Sequence, residues 1–237
     1  TRYRADKFFE GFVESLSEEL ETGVKSNKAD ETLEAILDDD KKSEVLFDSY
    51  RSVCFTKSKT LGPKIIGILT GYLIADGRSA QGDEEKVFRA AETLSDIELI
   101  ELSKEFKKWA KKADTSKDKK KDAQWVGNSI VIPWHEEVRD SAWPHSREAE
   151  IDVSPLNFEE VFGEYWAAHA ERLGLLSGRI TQRQEEYKED SERHIDEDGV
   201  LTIYASTLTF EPACKKLCEL IERCLETLDD EKTIKKT

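Results

Sequence analysis

Three sets of residues have the types and spacings that chemistry uses. Asp76, Asp83 and Glu84, in "ADGRSAQGDEE" (75–85), put carboxylates on both sides of a short polar turn. Hard oxygen ligands of this kind hold divalent cations. His135 and Glu136, with His145 ten residues on, lie in "WHEEVRDSAWPH" and offer imidazole beside carboxylate, the pairing used in general acid–base work. Cys214 and Cys218 stand four apart on a predicted helix, so both thiols share one face.

Each set falls short of a defined site. An EF-hand loop opening at Asp76 needs oxygen ligands at its third, fifth and twelfth positions, where Arg78, Ala80 and Val87 stand. Any divalent cation at Asp76, Asp83 and Glu84 is therefore held weakly, and no other cofactor is expected. His135-Glu136 begins like a zincin, but position 139 is Arg. No nucleophile elbow, phosphate loop or dinucleotide fingerprint accompanies it, so no catalytic residue is assigned. The Cys pair lacks the second ligand pair of a structural zinc site and lies on an apolar stripe, where small buried thiols pack.

Local helix chemistry accounts for much of the 75–85 stretch. Gly77 can end a helix in the left-handed conformation. Asp76, at the negative end of that helix's dipole, needs an offset, and hydrogen bonds from turn amides would supply one. Asp83, Glu84 and Glu85 favour the start of the next helix. These three acids, with the interface-prone aromatics Trp134 and Trp143, are the candidate partner surface.

The elements that position these residues follow from hydrophobic spacing. Phe8, Phe9, Phe12, Val13, Leu16 and Leu20 predict a first helix, and a short one spans about 30–37. Val45, Leu46, Tyr50, Val53 and Cys54 predict another. Gly62-Pro63 opens a helix apolar almost all round, which belongs at a bundle centre. A helix over about 83–93 follows, and Ser95 with Glu98 forms a capping box for one reaching about Lys112. Beyond a Lys-rich stretch the pattern changes. Residues 124–134 read as a strand stopped by Pro133, 147–155 as extended, and 157–173 as one helix with Glu160 in capping-box register. Residues 185–199 read as a charged connection, 199–207 as a strand, and the chain from Pro212 as a final helix. The fold class is mainly α: an acidic helical bundle (1–113), a Lys-rich linker (114–123) and a smaller α+β region (124–237), for which a winged-helix-like unit is one form.

An apolar helix, "ADG", a polar turn, acids and a helix opening on "LSDIEL" resemble the tellurite-resistance TerB-like helical fold over about residues 60–110. In that resemblance Asp76 matches the family's first acid and Asp83 or Glu84 its second. It implies an interaction or stress-response module with a weak divalent site and no known reaction. "WAAHAERLGLL", a charged spacer, "LTIYASTLTF" and a Cys-bearing last helix are similar to the ending of Abi-alpha-type phage-resistance proteins.

Composition narrows the partners. The chain has 237 residues, 37% charged, with net charge −15. Such a surface repels nucleic acid phosphates and anionic lipid. No apolar run nears the ~20 residues that span a bilayer. The start shows no secretory signal, and four scattered Cys read as reduced thiols of a cytoplasmic protein. The expectation is a cytoplasmic, non-enzymatic interaction protein with a protein partner. The alternatives are an enzyme with a site around His135, Glu136 and His145, and an acidic immunity-type protein that covers a basic toxin.

Overall fold

The structure is a computed structural model that describes residues 2–19, 33–116, 122–140, 157–187 and 199–234. The protein is mainly helical, with a small α+β part. Helices α1 (Arg2–Glu19), α2 (33–37), α3 (Asp40–Val53), α4 (Leu61–Asp76), α5 (Asp83–Thr93) and α6 (Asp96–Thr115) form the first half. Strands β1 (Gln124–Val126) and β2 (Ser129–Asp140), helices α7 (Phe158–Phe162) and α8 (Trp166–Arg172), strands β3 (Leu176–Tyr187) and β4 (Gly199–Phe210), and helix α9 (Pro212–Ile234) form the second.

Helix α4 is the centre of the bundle, as its all-round apolarity predicts. All of Leu61 to Gly71 is buried, together with Leu73 and Ile74. Helices α1, α3, α5 and α9 pack against it. The α1 contact is the closest. A Cβ placed on Gly67 would stand 2.1 Å from the Phe8 carbonyl oxygen, and one on Gly11 2.4 Å from that of Lys64. Glycine here lets the two backbones touch. Phe8, Phe12 and Leu16 face this contact, whereas Phe9 and Val13, on the same predicted stripe, are largely exposed. Leu20 lies outside the described residues.

The start of α4 is capped from a distance. The Asp96 carboxylate, in the first turn of α6, accepts from the amides of Lys59 (3.0 Å), Thr60 (3.3 Å) and Leu61 (2.9 Å) and from the Ser58 hydroxyl (2.5 Å). Three amides without an intrahelical partner are thereby satisfied. Burial alone would raise the Asp96 pKa, but these donors outweigh it and hold it low. Ser95 and Glu98 form the expected capping box.

The sheet is antiparallel throughout, in the order β1-β2-β4-β3. Three sequence expectations change here. Pro133 does not stop β2. The strand continues to Asp140, and its register on β4 shifts between Pro133 and His135, a bulge that accommodates a residue without an N–H. The helix expected over 157–173 is two, because Gly163 takes φ +66° and closes α7. Residues 185–187, read as part of a charged connection, end a twelve-residue strand, β3, paired along its length with β4. The stretches 188–198, 147–155 and 117–121 lie outside the described residues.

One core joins both halves. Phe210, ending β4, meets Phe106 of α6 (centroids 5.7 Å) and Phe162 of α7 (6.0 Å) edge-on. Helix α9 lies on α4, α5 and α6 and buries Cys214, Leu217, Cys218, Leu220, Ile221 and Cys224. The 114–123 boundary thus separates the halves in chain order, while the core is shared across it. Cys218→Ser should cost about 1–3 kcal/mol, since it buries a hydroxyl in an apolar site. Urea unfolding measures this, and an unchanged midpoint would show that the serine finds a helix carbonyl at no loss.

Candidate partner-binding site

The α4–α5 corner is held by its own charges. Gly77, at φ +63°, caps α4: its amide donates to Ile74 O (3.2 Å) and that of Arg78 to Leu73 O (3.1 Å). This is the paired bonding of a Schellman motif. Those amides are therefore not free for Asp76, contrary to expectation. Arg78 provides the offset instead. Its Nε donates to Asp76 Oδ2 (2.9 Å), and its two terminal nitrogens donate to Glu84 Oε2 (2.6 Å) and Oε1 (2.9 Å). Lys216 of α9 adds a bond to Glu84 Oε1 at 2.7 Å, and the Gln81 amide one to Oε2 at 3.3 Å. The Arg78 guanidinium leads in holding Glu84 down at about 2, against burial and with help from Lys216.

This geometry changes the part played by the sequence candidates. Asp76 and Glu84 grip a guanidinium between them, and Asp83 stands 3.4 Å from Lys86 Nζ. The positive charge at the corner belongs to Arg78 and Lys216. Among the described residues, no three of His, Cys, Asp and Glu are grouped to hold a metal ion. Glu84 is an internal tie, whereas Asp76 and Glu85 are exposed.

Glu85 opens onto a concavity. A groove of about 970 Å³ lies over the C-terminal half of α4, walled by α3 on one side and α5 on the other. Val45 and Phe88, both half-buried, supply the accessible apolar surface above the buried Leu73 and Ile74, and Glu44, Asp48, Glu85, Arg89 and Glu92 line the rims.

The aromatic candidates gather elsewhere. Trp134 is 43% exposed and lies with Trp109, Lys112, Ile132 and Pro133 around a second hollow of about 520 Å³. Lys112 Nζ sits 3.9 Å from the centroid of Trp109, a cation–π contact. Lys215 of α9 lies over the Trp125 ring, and its neighbour Lys216 holds Glu84. Trp143 and His145 lie outside the described residues. His135 and Glu136 are placed on β2 by backbone only. No family model, curated protein or solved structure matches this chain.

The remaining chemical groups serve the fold. Sγ of Cys214 and Cys218 lie 4.0 Å apart, buried, and burial pushes the Cys218 thiol well up. Burial likewise raises Cys224 to about 12. Thiols so shifted are poor nucleophiles. His169 of α8, not singled out by sequence, places Nδ1 2.7 Å from Glu98 Oε1 and ties α8 to α6. Its partner lies 71 residues earlier in the chain, so no local pattern marks it.

Glu98 gives a prediction with a definite sign. Burial raises its pKa, but bonds from Lys57 (2.7 Å), Ser95 and His169 outweigh burial and hold it at about 2. A carboxylate depressed below its ordinary ~4.3 stabilises the fold fully above that value and loses the contribution as pH falls toward about 2. Wild type should therefore lose stability over this window more steeply than Glu98→Gln, which keeps the capping box. Urea midpoints against pH measure it. Parallel acid limbs would show that Glu98 is not held ionised.

Proposed function

We propose that this chain is a non-enzymatic interaction protein that holds a protein partner in the groove between α3 and α5. One observation carries the reading. Asp76, Asp83 and Glu84 are paired with Arg78 and Lys86, and Cys214 and Cys218 are buried, whereas the groove is open, concave and lined by both apolar and charged side chains. Its volume is that of a binding site. The TerB-like resemblance of residues 60–110 and the Abi-alpha-like ending support a cytoplasmic accessory role in bacterial stress response or phage defence.

Ser49 lies on the α3 wall, half-buried. Ser49→Trp should block the groove. Proteins recovered with wild type from the native cell, quantified by mass spectrometry, should be lost with this variant and retained with Glu171→Ala on α8. Equal recovery with all three proteins would place the partner surface elsewhere. A partner set that followed Trp134→Ala instead would move it to the second hollow.

A further inference from the structure

The groove has the shape of a missing bundle helix. Helices α3 and α5 each pack on α4, and the groove between them lies over α4's C-terminal half. A helix ~10 Å across and two turns (~11 Å) long occupies roughly 850 Å³. The groove's 970 Å³ accommodates that.

The walls also carry helical repeats. Val45, Asp48, Ser49 and Ser52 on α3, and Glu85, Phe88, Arg89 and Glu92 on α5, follow i, i+3, i+4, i+7 spacing and all line the groove. Each wall thus presents one continuous helix face, the arrangement into which another helix packs.

Charge selects the occupant. Lys42 stands 3.9 Å from Asp39, and Arg78 is committed to Asp76 and Glu84. Glu44 and Asp48 on one rim, and Glu85 and Glu92 on the other, make no ion pair among the described residues; Lys41 and Arg89 are the cations left to oppose them. Half-buried Val45 and Phe88 between two net acidic rims complement an apolar stripe between two basic edges.

We propose that the groove takes a basic amphipathic helix from a partner protein, its apolar stripe on Val45 and Phe88 and its Lys or Arg side chains against Glu44, Asp48, Glu85 and Glu92. This rests on the reading of the groove as the partner site and adds the chemistry of what enters it.

The probe is a fluorescein-labelled peptide of about 14 residues, with Leu at helical spacing and Lys flanking the stripe. Two controls accompany it: the same peptide with Glu for Lys, and one with a central Pro. Anisotropy titrations use the full chain as wild type, as Glu44→Lys/Glu85→Lys, and as Glu159→Lys/Glu171→Lys, which makes the same charge change at exposed sites on α7 and α8. Reversing the groove acids should weaken binding at least about tenfold, a loss of ~1.4 kcal/mol, and the distant pair should change it less than about twofold. The Glu and Pro peptides should not saturate.

Equal weakening by both double variants would reduce the effect to the whole protein's field and overturn the proposal. Pro-peptide binding as tight as that of the helical probe would overturn it in favour of an extended occupant. Self-association in sedimentation, abolished by Glu44→Lys/Glu85→Lys, would overturn it in favour of a second copy of this chain. If Ser49→Trp abolishes native partner recovery while the probe fails to discriminate, the chemistry assigned to the occupant falls and the groove stands. If neither responds, both fall.

Discussion

Gly67→Val should destabilise the fold by about 3 kcal/mol or more, with a drop in urea midpoint larger than that of Gly71→Ala. Two effects oppose each other. Replacing glycine favours the helix, by about 1 kcal/mol for alanine and less for valine. Against this, a Cβ on Gly67 meets the Phe8 carbonyl oxygen at 2.1 Å and the Phe12 amide at 3.0 Å. Both neighbours are backbone of α1, so no rotamer change relieves them. Helix α1 must move away from α4 as a body, opening the packing of Phe8, Phe12, Ile65 and Ile68, all buried.

Overpacking ordinarily costs about 1–3 kcal/mol, and a branched side chain against backbone belongs at or above the top of that range. For a chain of this size each kcal/mol moves Tm by roughly 2–4 °C. Gly71 is the comparison. Its nearest obstacle is the Ser15 hydroxyl at 1.8 Å, a side-chain atom that can rotate, although it then leaves its bond to Phe12 O. Equal midpoints for wild type and Gly67→Val would mean that α1 is not docked on α4.

The helices were legible because their signals are local. Helix α5 occupies the residues expected, and α4 ends at Gly77, since caps and apolar spacing are properties of a few neighbouring residues. Strand β3 was hidden for a physical reason. Leu176 is buried at its base, but Gly178 to Gln182 are exposed, so no alternation marks a half-buried strand there. Its pairing with β4 is what makes it a strand. Pro133 misled because the rule against proline within a sheet relaxes at a bulge.

The site was legible in its residue types and not in its pairings. Asp76 and Glu84 were marked as carboxylates at one corner, but the cation between them is Arg78, two residues from one and six from the other. Asp96 reaches 35 to 38 residues back to cap α4, a partner no local pattern specifies. Lys64 is the clearest case. It lies on α4 among apolar residues, where no local pattern names its ionic partners, and it is 1% exposed.

Lys64 carries the largest expected loss, and the loss should come from removing its partners. Its ammonium donates to Glu10 and, at 2.7 Å, to Thr227 of α9, and it stands 3.4 Å from Glu14. Glu10 also accepts from Lys7 (2.6 Å) and Glu14 from Arg223 (2.8 Å). The network is asymmetric. Taking away Lys64 leaves each carboxylate a cation, whereas neutralising both carboxylates leaves a buried ammonium with no counter-charge. Stranding a buried charge costs about 3–5 kcal/mol, while replacing a whole buried ion group with apolar side chains is often neutral or better. Glu10→Gln/Glu14→Gln should therefore be far more damaging than Lys64→Met. Adding Lys64→Met to the double variant should restore most of the loss. The three variants and wild type make a cycle read by urea unfolding, with strong non-additivity expected between the lysine and the acid pair. Additive losses would show that Lys64 reaches solvent, and that the ties from α1 and α9 to the bundle centre are not ionic.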